Sequence, residues 1–230
     1  MRKATLLLIV LIFLIVLIAA GCGSSSDDDT AAESVAQTES TASEGTAECT
    51  DADLPPARDD GGATAPTERL DPEKTYKLVV KTNCGTFTIT IDQTVAPATA
   101  ASLVALSKDG FYDDTIFHRI VPGFVIQGGD PTQTGAGGPG YKTVDVPPAD
   151  AAYTKGVVAM AKAGNEAPGT SGSQFFVATG DDVGLPPEYA VVGTVTSGLE
   201  VVELIGTLGD PATEQPTQPV VVESITVEEQ

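Results

Sequence analysis

The stretch Phe117 to Asp130, FHRIVPGFVIQGGD, sets the chain's single histidine and an arginine beside an apolar run that ends in two glycines. As chemistry it offers one permanent cation (Arg119), an aromatic (Phe124), a small aliphatic (Val125) and a neutral amide (Gln127). No nucleophile is on display. One guanidinium over an apolar floor suits a reaction in which no bond need be broken, where a carbonyl or nitrogen is polarised and water is kept out.

Other groupings fail in context. Gly135 to Gly140 (GAGGPG) matches G-x-G-x-x-G, but it follows Asp-Pro-Thr-Gln rather than a strand and precedes Pro147-Pro148 rather than a helix. It reads as a flexible surface loop. Gly169 to Ser173 (GTSGS) falls short of the nucleophile pattern G-x-S-x-G. A triad would also have to draw on His118. Neighbouring strand residues face opposite sides, so His118 and Arg119 should not share a pocket, and His118 is expected as a hydrogen-bonded core residue.

The elements that must position these residues follow from periodicity. Tyr76 to Thr82 and Thr86 to Ile91, joined by Asn83-Cys84-Gly85, read as a β-hairpin. Ala96 to Lys108 reads as a helix, with Pro97 in its first turn, Leu103 and Leu106 on one face, and Gly110 ending it. Short strands are expected over Thr115–Ile120, Phe124–Gly128, Gly156–Ala161, Gln174–Ala178 and Ala190–Val195, then a helix over Glu200–Gly206 and a closing strand over Val220–Val227. Two helices among many short strands do not suit a parallel sheet; an antiparallel barrel or sandwich is favoured.

The Phe117–Asp130 segment resembles one signature of the cyclophilin-type peptidyl-prolyl isomerases, and Gly156 to Phe176 (GVVAMAKAGNEAPGTSGSQFF) resembles the other. The likeness covers roughly residues 73 to 228, about two thirds of the chain. It implies a mainly β fold, a closed eight-stranded antiparallel barrel with a helix capping each open end. It implies Arg119 as the catalytic residue, and a substrate groove from Phe124, Val125, Gln127, Ala161, Lys162, Gln174, Phe176, Leu185 and Tyr189. It implies no cofactor or metal, proline-containing peptide segments as partners, and a monomer. Val125 stands where methionine is common, Lys162 where asparagine is frequent, Gly184-Leu185 where many members have tryptophan then leucine, and Tyr189 where histidine is often found. The charge that Lys162 adds beside the groove would favour acidic peptides. The chain has no tryptophan, which puts cyclosporin sensitivity in question.

The N-terminus reads as delivery. Arg2 and Lys3 precede an apolar run, Leu6 to Ala20, and Ala19-Ala20-Gly21-Cys22 resembles the lipobox of bacterial lipoproteins. Residues 1–21 are then a signal peptide, Cys22 the lipidated residue, and the working domain extracytoplasmic and anchored to the bacterial cell membrane; the alternative is an ordinary signal peptide or a single anchor helix, which also puts the domain outside the cytoplasm. Residues 22–72 are rich in Ser, Thr, Ala, Asp, Glu, Gly and Pro and read as a disordered acidic tether to a domain spanning 73–230. With Cys22 lipidated, Cys49 and Cys84 remain, either bridged, stapling the tether to the hairpin turn, or as two free thiols. Twelve Lys and Arg against 32 Asp and Glu give a net charge of -20, which argues against a nucleic-acid partner.

Three functions follow from these features. The first is an isomerase that speeds X-Pro rotation in exported proteins. The second is a catalytically weak proline-peptide binding module at the cell surface. The third is a structural lipoprotein in which the barrel is a spacer. Turnover separates the first from the others, and saturable peptide binding separates the second from the third.

Overall fold

A computed structural model describes residues 48–230; the expected signal peptide, Cys22 and the first part of the tether lie outside the described residues. In the hairpin, alternation sets the register. β1 (Tyr76–Thr82) pairs with β2 (Gly85–Ile91) so that Leu78, Val80, Phe87 and Ile89 are buried together while Lys77, Val79, Lys81, Thr86, Thr88 and Thr90 face outward. Gly85 at the turn has φ 124° and lies against Val201, a place and a conformation that a side chain would not tolerate.

Eight strands close on themselves. β3 (Thr115–Val121), β4 (Val125–Gly128), β6 (Val157–Met160), β8 (Phe175–Ala178), β9 (Val191–Ser197) and β10 (Val221–Glu229) join the hairpin in the order β1-β10-β3-β4-β8-β6-β9-β2, every pair antiparallel. β10 therefore lies between β1 and β3. Inside, Phe117, Ile120, Ile126, Val158, Met160, Phe175, Val177 and Val192 form one core with the hairpin residues. Phe175 meets Tyr112 and Phe117 edge-on, at centroid distances of 5.9 and 6.0 Å. A separate two-stranded ribbon, β5 (Thr143–Val144) with β7 (Thr170–Ser171), was not expected from the sequence.

Both helices close onto this core. α1 (Pro97–Lys108) follows the Ile91 end of β2 and contributes Ala100, Leu103, Val104 and Leu106; α2 (Leu199–Gly206) packs at the Gly85 end and contributes Val201, Val202 and Ile205. α1 was expected to bury one face, yet Thr99, Ala101, Ser102 and Ser107 are buried as well. The 141–145 segment covers its other side. Tyr141 bonds Ser102 and Thr143 bonds Thr99, both at 2.9 Å, and the Asp145 carboxylate accepts the Thr99 N–H at 2.7 Å, an anion at the helix N-terminus.

The described part of the expected tether, residues 48–72, is not free of the barrel. Cys49 is disulfide-bonded to Cys84 with S–S 2.04 Å. Beyond it the chain lies against the 131–139 loop: the N–H of Arg58 donates to Pro131 O, that of Gly61 to Gly138 O and that of Ala63 to Pro139 O, at 2.8, 2.9 and 3.1 Å. Arg58 also reaches the Phe111 carbonyl and ring. A composition too polar to build a core can still be held by backbone hydrogen bonds and a covalent staple.

Candidate active site

Alternation along β3 would put Phe117 and Arg119 on the same face. They are not, because the β3–β4 register slips between them: Phe117 pairs with Gly128 and Arg119 with Gln127, leaving His118 as the extra residue of a β-bulge. Phe117 thus enters the core, whereas Arg119 stands outside the barrel beside Gln127. His118 and Arg119 do not share a pocket, as expected, but not through alternation: the bulge interrupts it between them, and His118 lines a cavity that Arg119 does not.

His118 departs from its expected role. It is half-buried rather than buried in the core, and neither ring nitrogen has a hydrogen-bond partner among the described residues. It lines a separate cavity of about 350 Å³ with Leu54, Ile116, Gln133 and the 215–219 segment. Burial lowers its pKa, opposed by nearby Asp130 and aided by Arg119. It is not placed to act with Arg119.

On the outer face of β4, β6 and β8 a second apolar cluster forms around Val125, Ala159, Phe176 and Tyr153, with Phe124, Ala161, Val183, Leu185 and Tyr189 packed against it. Phe176, Tyr153 and Tyr189 make a mutually tilted aromatic trio, with centroids 5.7 to 6.0 Å apart. Tyr153 is its hinge: its hydroxyl donates to Tyr189 O at 2.8 Å and accepts the Tyr189 N–H at 3.0 Å. Burial raises the pKa of that hydroxyl. Sequence reasoning missed Tyr153 and Val183, which belong to neither signature block.

Polar groups border this cluster as a connected row. Arg119 lies 5.9 Å from the Phe124 ring centre, and its Nη1 points to Gln127 Oε1 at 3.4 Å. Gln127 Nε2 donates to Gln174 Oε1 at 3.0 Å, and Gln174 Nε2 donates to the Gly137 carbonyl at 2.9 Å. On the far side Arg119 Nε donates to Glu214 at 2.7 Å. Phe124, Val125, Gln127, Ala161, Gln174, Phe176, Leu185 and Tyr189 are thus brought together beside Arg119.

Lys162 joins them without a free charge. Its side chain is only 3% exposed, pairs with Glu188 at 2.9 Å, donates to the Glu166 carbonyl and lies over the Tyr189 ring. The hydrogen bond to Glu188 is the main cause of its raised pKa. The expected attraction for acidic peptides therefore loses its basis, since the charge is already matched.

The glycine-rich loop, expected to be flexible, is hydrogen-bonded along its length. Asp130 is fully buried and accepts from the Thr132 N–H and hydroxyl and from the N–H groups of Gly135 and Gly137. Burial pushes its pKa up, but these hydrogen bonds outweigh burial and hold it below the usual carboxylate range. A Cβ at Gly137 would collide with Asp130 and Thr132, so glycine is required there. Asp60 accepts the Gly138 N–H from outside at 2.7 Å. This loop lines, with Gln127, Ala161, Lys162 and Gln174, a recess of about 280 Å³ that opens beside the aromatic cluster. Among the described residues no group of three or more His, Cys, Asp or Glu is placed to hold a metal ion.

Such a site offers an apolar seat, one guanidinium, and two side-chain amides in a hydrogen-bonded row beside it. Comparison with known proteins agrees. The family model for "Cyclophilin type peptidyl-prolyl cis-trans isomerase/CLD" matches residues 77–227. Peptidyl-prolyl cis-trans isomerase A of Mycobacterium tuberculosis is 38% identical over 174 residues, covering 68% of this chain and 94% of that protein. Peptidyl-prolyl cis-trans isomerase B of Streptomyces anulatus is 39% identical over 168 residues, covering 65% and 94%. Among solved structures, a Cryptosporidium parvum cyclophilin-type isomerase superimposes with TM-score 0.62 and 30% identity over 67% of this chain and 98% of its own. A second structure of that protein, determined in the presence of the dipeptide Ala-Pro, gives TM-score 0.60 at 30% identity over 66% and 98%.

Proposed function

The chain belongs to the cyclophilin-type peptidyl-prolyl cis-trans isomerases, and from that premise we propose that Arg119 is its catalytic residue and that its substrates are X-Pro bonds of exported proteins. Rotation about an X-Pro bond is slow because amide conjugation must be broken on the way. The proline ring seats on Phe124, Val125, Phe176, Leu185 and Tyr189, while Gln127 and Gln174 hold the peptide backbone.

Arg119 donates to the carbonyl oxygen and, as conjugation is lost, to the proline nitrogen. That nitrogen accepts a hydrogen bond only in the twisted state. The contact therefore favours the transition state over either planar isomer, which is what raises turnover. An acceleration of roughly five orders of magnitude corresponds to about 7 kcal/mol. Charge-assisted hydrogen bonds at the edge of an apolar groove, together with a fixed ring, are of the right size to supply it.

The observation that carries this reading is the placement of Arg119 outside the barrel, against the Phe124 ring and at the edge of the apolar cluster. A protease-coupled proline isomerisation assay on the full chain in detergent tests it. Catalysis should collapse in R119A while the barrel stays folded; equal rates in parent and variant would overturn the assignment.

The proposal extends to location: Cys22 carries lipid, and the barrel works outside the cytoplasm as a monomer on the membrane. It is supported by the basic, apolar and small-residue order of residues 2–22 and by the Cys49–Cys84 bridge, a bond at home in an oxidising compartment. Mass spectrometry of the mature N-terminus and fractionation of C22A cells test it. An unmodified Cys22 would refute the anchor.

A further inference from the structure

Glu214 lies 95 residues beyond Arg119, in the segment between α2 and β10, and its carboxylate accepts the Arg119 Nε–H at 2.7 Å. Its own turn is tightly made. Asp210 Oδ1 accepts the N–H groups of Ala212 and Thr213, the Asp210 N–H donates to Gln215 O, and the Glu214 N–H donates to Asp210 O at 2.8 Å. The Glu214 carbonyl then accepts the Ile120 N–H at 2.8 Å, docking the turn onto the residue after Arg119. Glu214 adopts φ 59°, a left-handed conformation that glycine or asparagine would adopt at less cost. The turn needs its backbone; among the described residues only Arg119 uses its carboxylate.

Stability does not account for that carboxylate. The pair is open to water, with side chains 34% and 47% exposed, and ion pairs at such exposure contribute little to folding. Its effect is on direction. A guanidinium is a planar fork, and holding Nε fixes the plane in which the other N–H groups lie. With Glu214 on Nε, Gln127 near Nη1 and the Phe124 ring beside Cζ, Nη2 is left without a hydrogen-bond partner among the described residues, at the edge of the apolar cluster to which Phe124 belongs.

We propose that Glu214 is a positioning residue, which orients the Arg119 guanidinium before substrate arrives and thereby lowers the barrier to rotation without contacting the peptide. The inference rests on Arg119 being the catalytic residue. Orientation requires an acceptor at Nε, not a negative charge, so glutamine at this position preserves the effect and alanine removes it.

The test uses the full chain in detergent and four variants, R119A, E214A, E214Q and the double variant R119A/E214A, each checked by circular dichroism and thermal melting. In E214A kcat falls about tenfold with KM little changed, as for an interaction expressed in the transition state. E214Q stays within about threefold of the parent, and E214A causes no further loss in the R119A background, because Glu214 acts only through Arg119. A folded E214A with parental kcat, an E214Q as impaired as E214A, or an additive loss in the double variant each overturns the proposal. Full activity in R119A would instead overturn the catalytic assignment on which it rests.

Discussion

Asp130→Asn replaces the buried carboxylate behind the glycine-rich loop by a group of the same shape. In the parent, Oδ1 serves the Thr132 N–H and hydroxyl, and Oδ2 serves the N–H groups of Gly135 and Gly137. An asparagine has one oxygen and one NH2: with the NH2 toward the glycines two N–H groups meet a donor, and with it toward Thr132 the hydroxyl can turn to accept but the Thr132 N–H still meets a donor. In the better-matched orientation one charge-assisted bond at about 1.5 to 3 kcal/mol is lost outright and the others fall to neutral strength, for a net cost of about 3 kcal/mol. For a domain of this size that lowers Tm by about 6 to 12 °C at neutral pH. KM should rise severalfold as well, because the Gly137 carbonyl that holds Gln174 moves with the loop.

The pH dependence has a definite sign. The folded-state pKa of Asp130 is depressed, so its stabilisation is present above the unfolded value of about 3.9 and is lost as pH falls through the folded value. Thermal melts of parent and D130N across pH should show a gap that narrows in acid. A Tm at neutral pH equal to the parent's, or a gap that stays constant into strong acid, would refute the reasoning.

Tyr153→Phe removes the hydroxyl that both donates to and accepts from the Tyr189 backbone. A loss of about 1 to 3 kcal/mol in urea unfolding and a raised KM with kcat nearly unchanged are expected, since the substituted residue supports the groove wall and not the reacting bond. Reduction of Cys49–Cys84, whose partners are 35 residues apart, should remove up to about 4 kcal/mol and lower Tm by about 8 to 15 °C. Circular dichroism melts with and without dithiothreitol check this; superimposable curves would mean that the bridge adds nothing to the barrel.

Much of this architecture was legible where burial repeats with a simple period. Leu78, Val80, Phe87 and Ile89 announce the hairpin, and the signature blocks carry Arg119 and most of the groove. What was not legible depends on events between distant residues. The bulge at His118 is a mismatch between two strands and leaves no mark in either alone. Tyr153 and Glu214 are single polar-tipped residues whose partners, Tyr189 and Arg119, lie 36 and 95 positions away. The β5–β7 ribbon consists of two-residue strands, too short for any alternation to show. Residues 48–72 lack the apolar content that marks packed chain, because hydrogen bonds and a disulfide hold them there.

The position of β10 between β1 and β3 also sets an order of events. As the chain emerges from its N-terminal side, β1 can pair with β2 at once, yet its other edge waits for Val221–Glu229, the last barrel strand in sequence. Until then β1 and β3 each present an unpaired rim of N–H and C=O groups, open to neighbours that are themselves half made. The barrel is thus a ring closed by its final stave, and a chain cut short before Val221 would be left with two sticky edges rather than a slightly smaller protein.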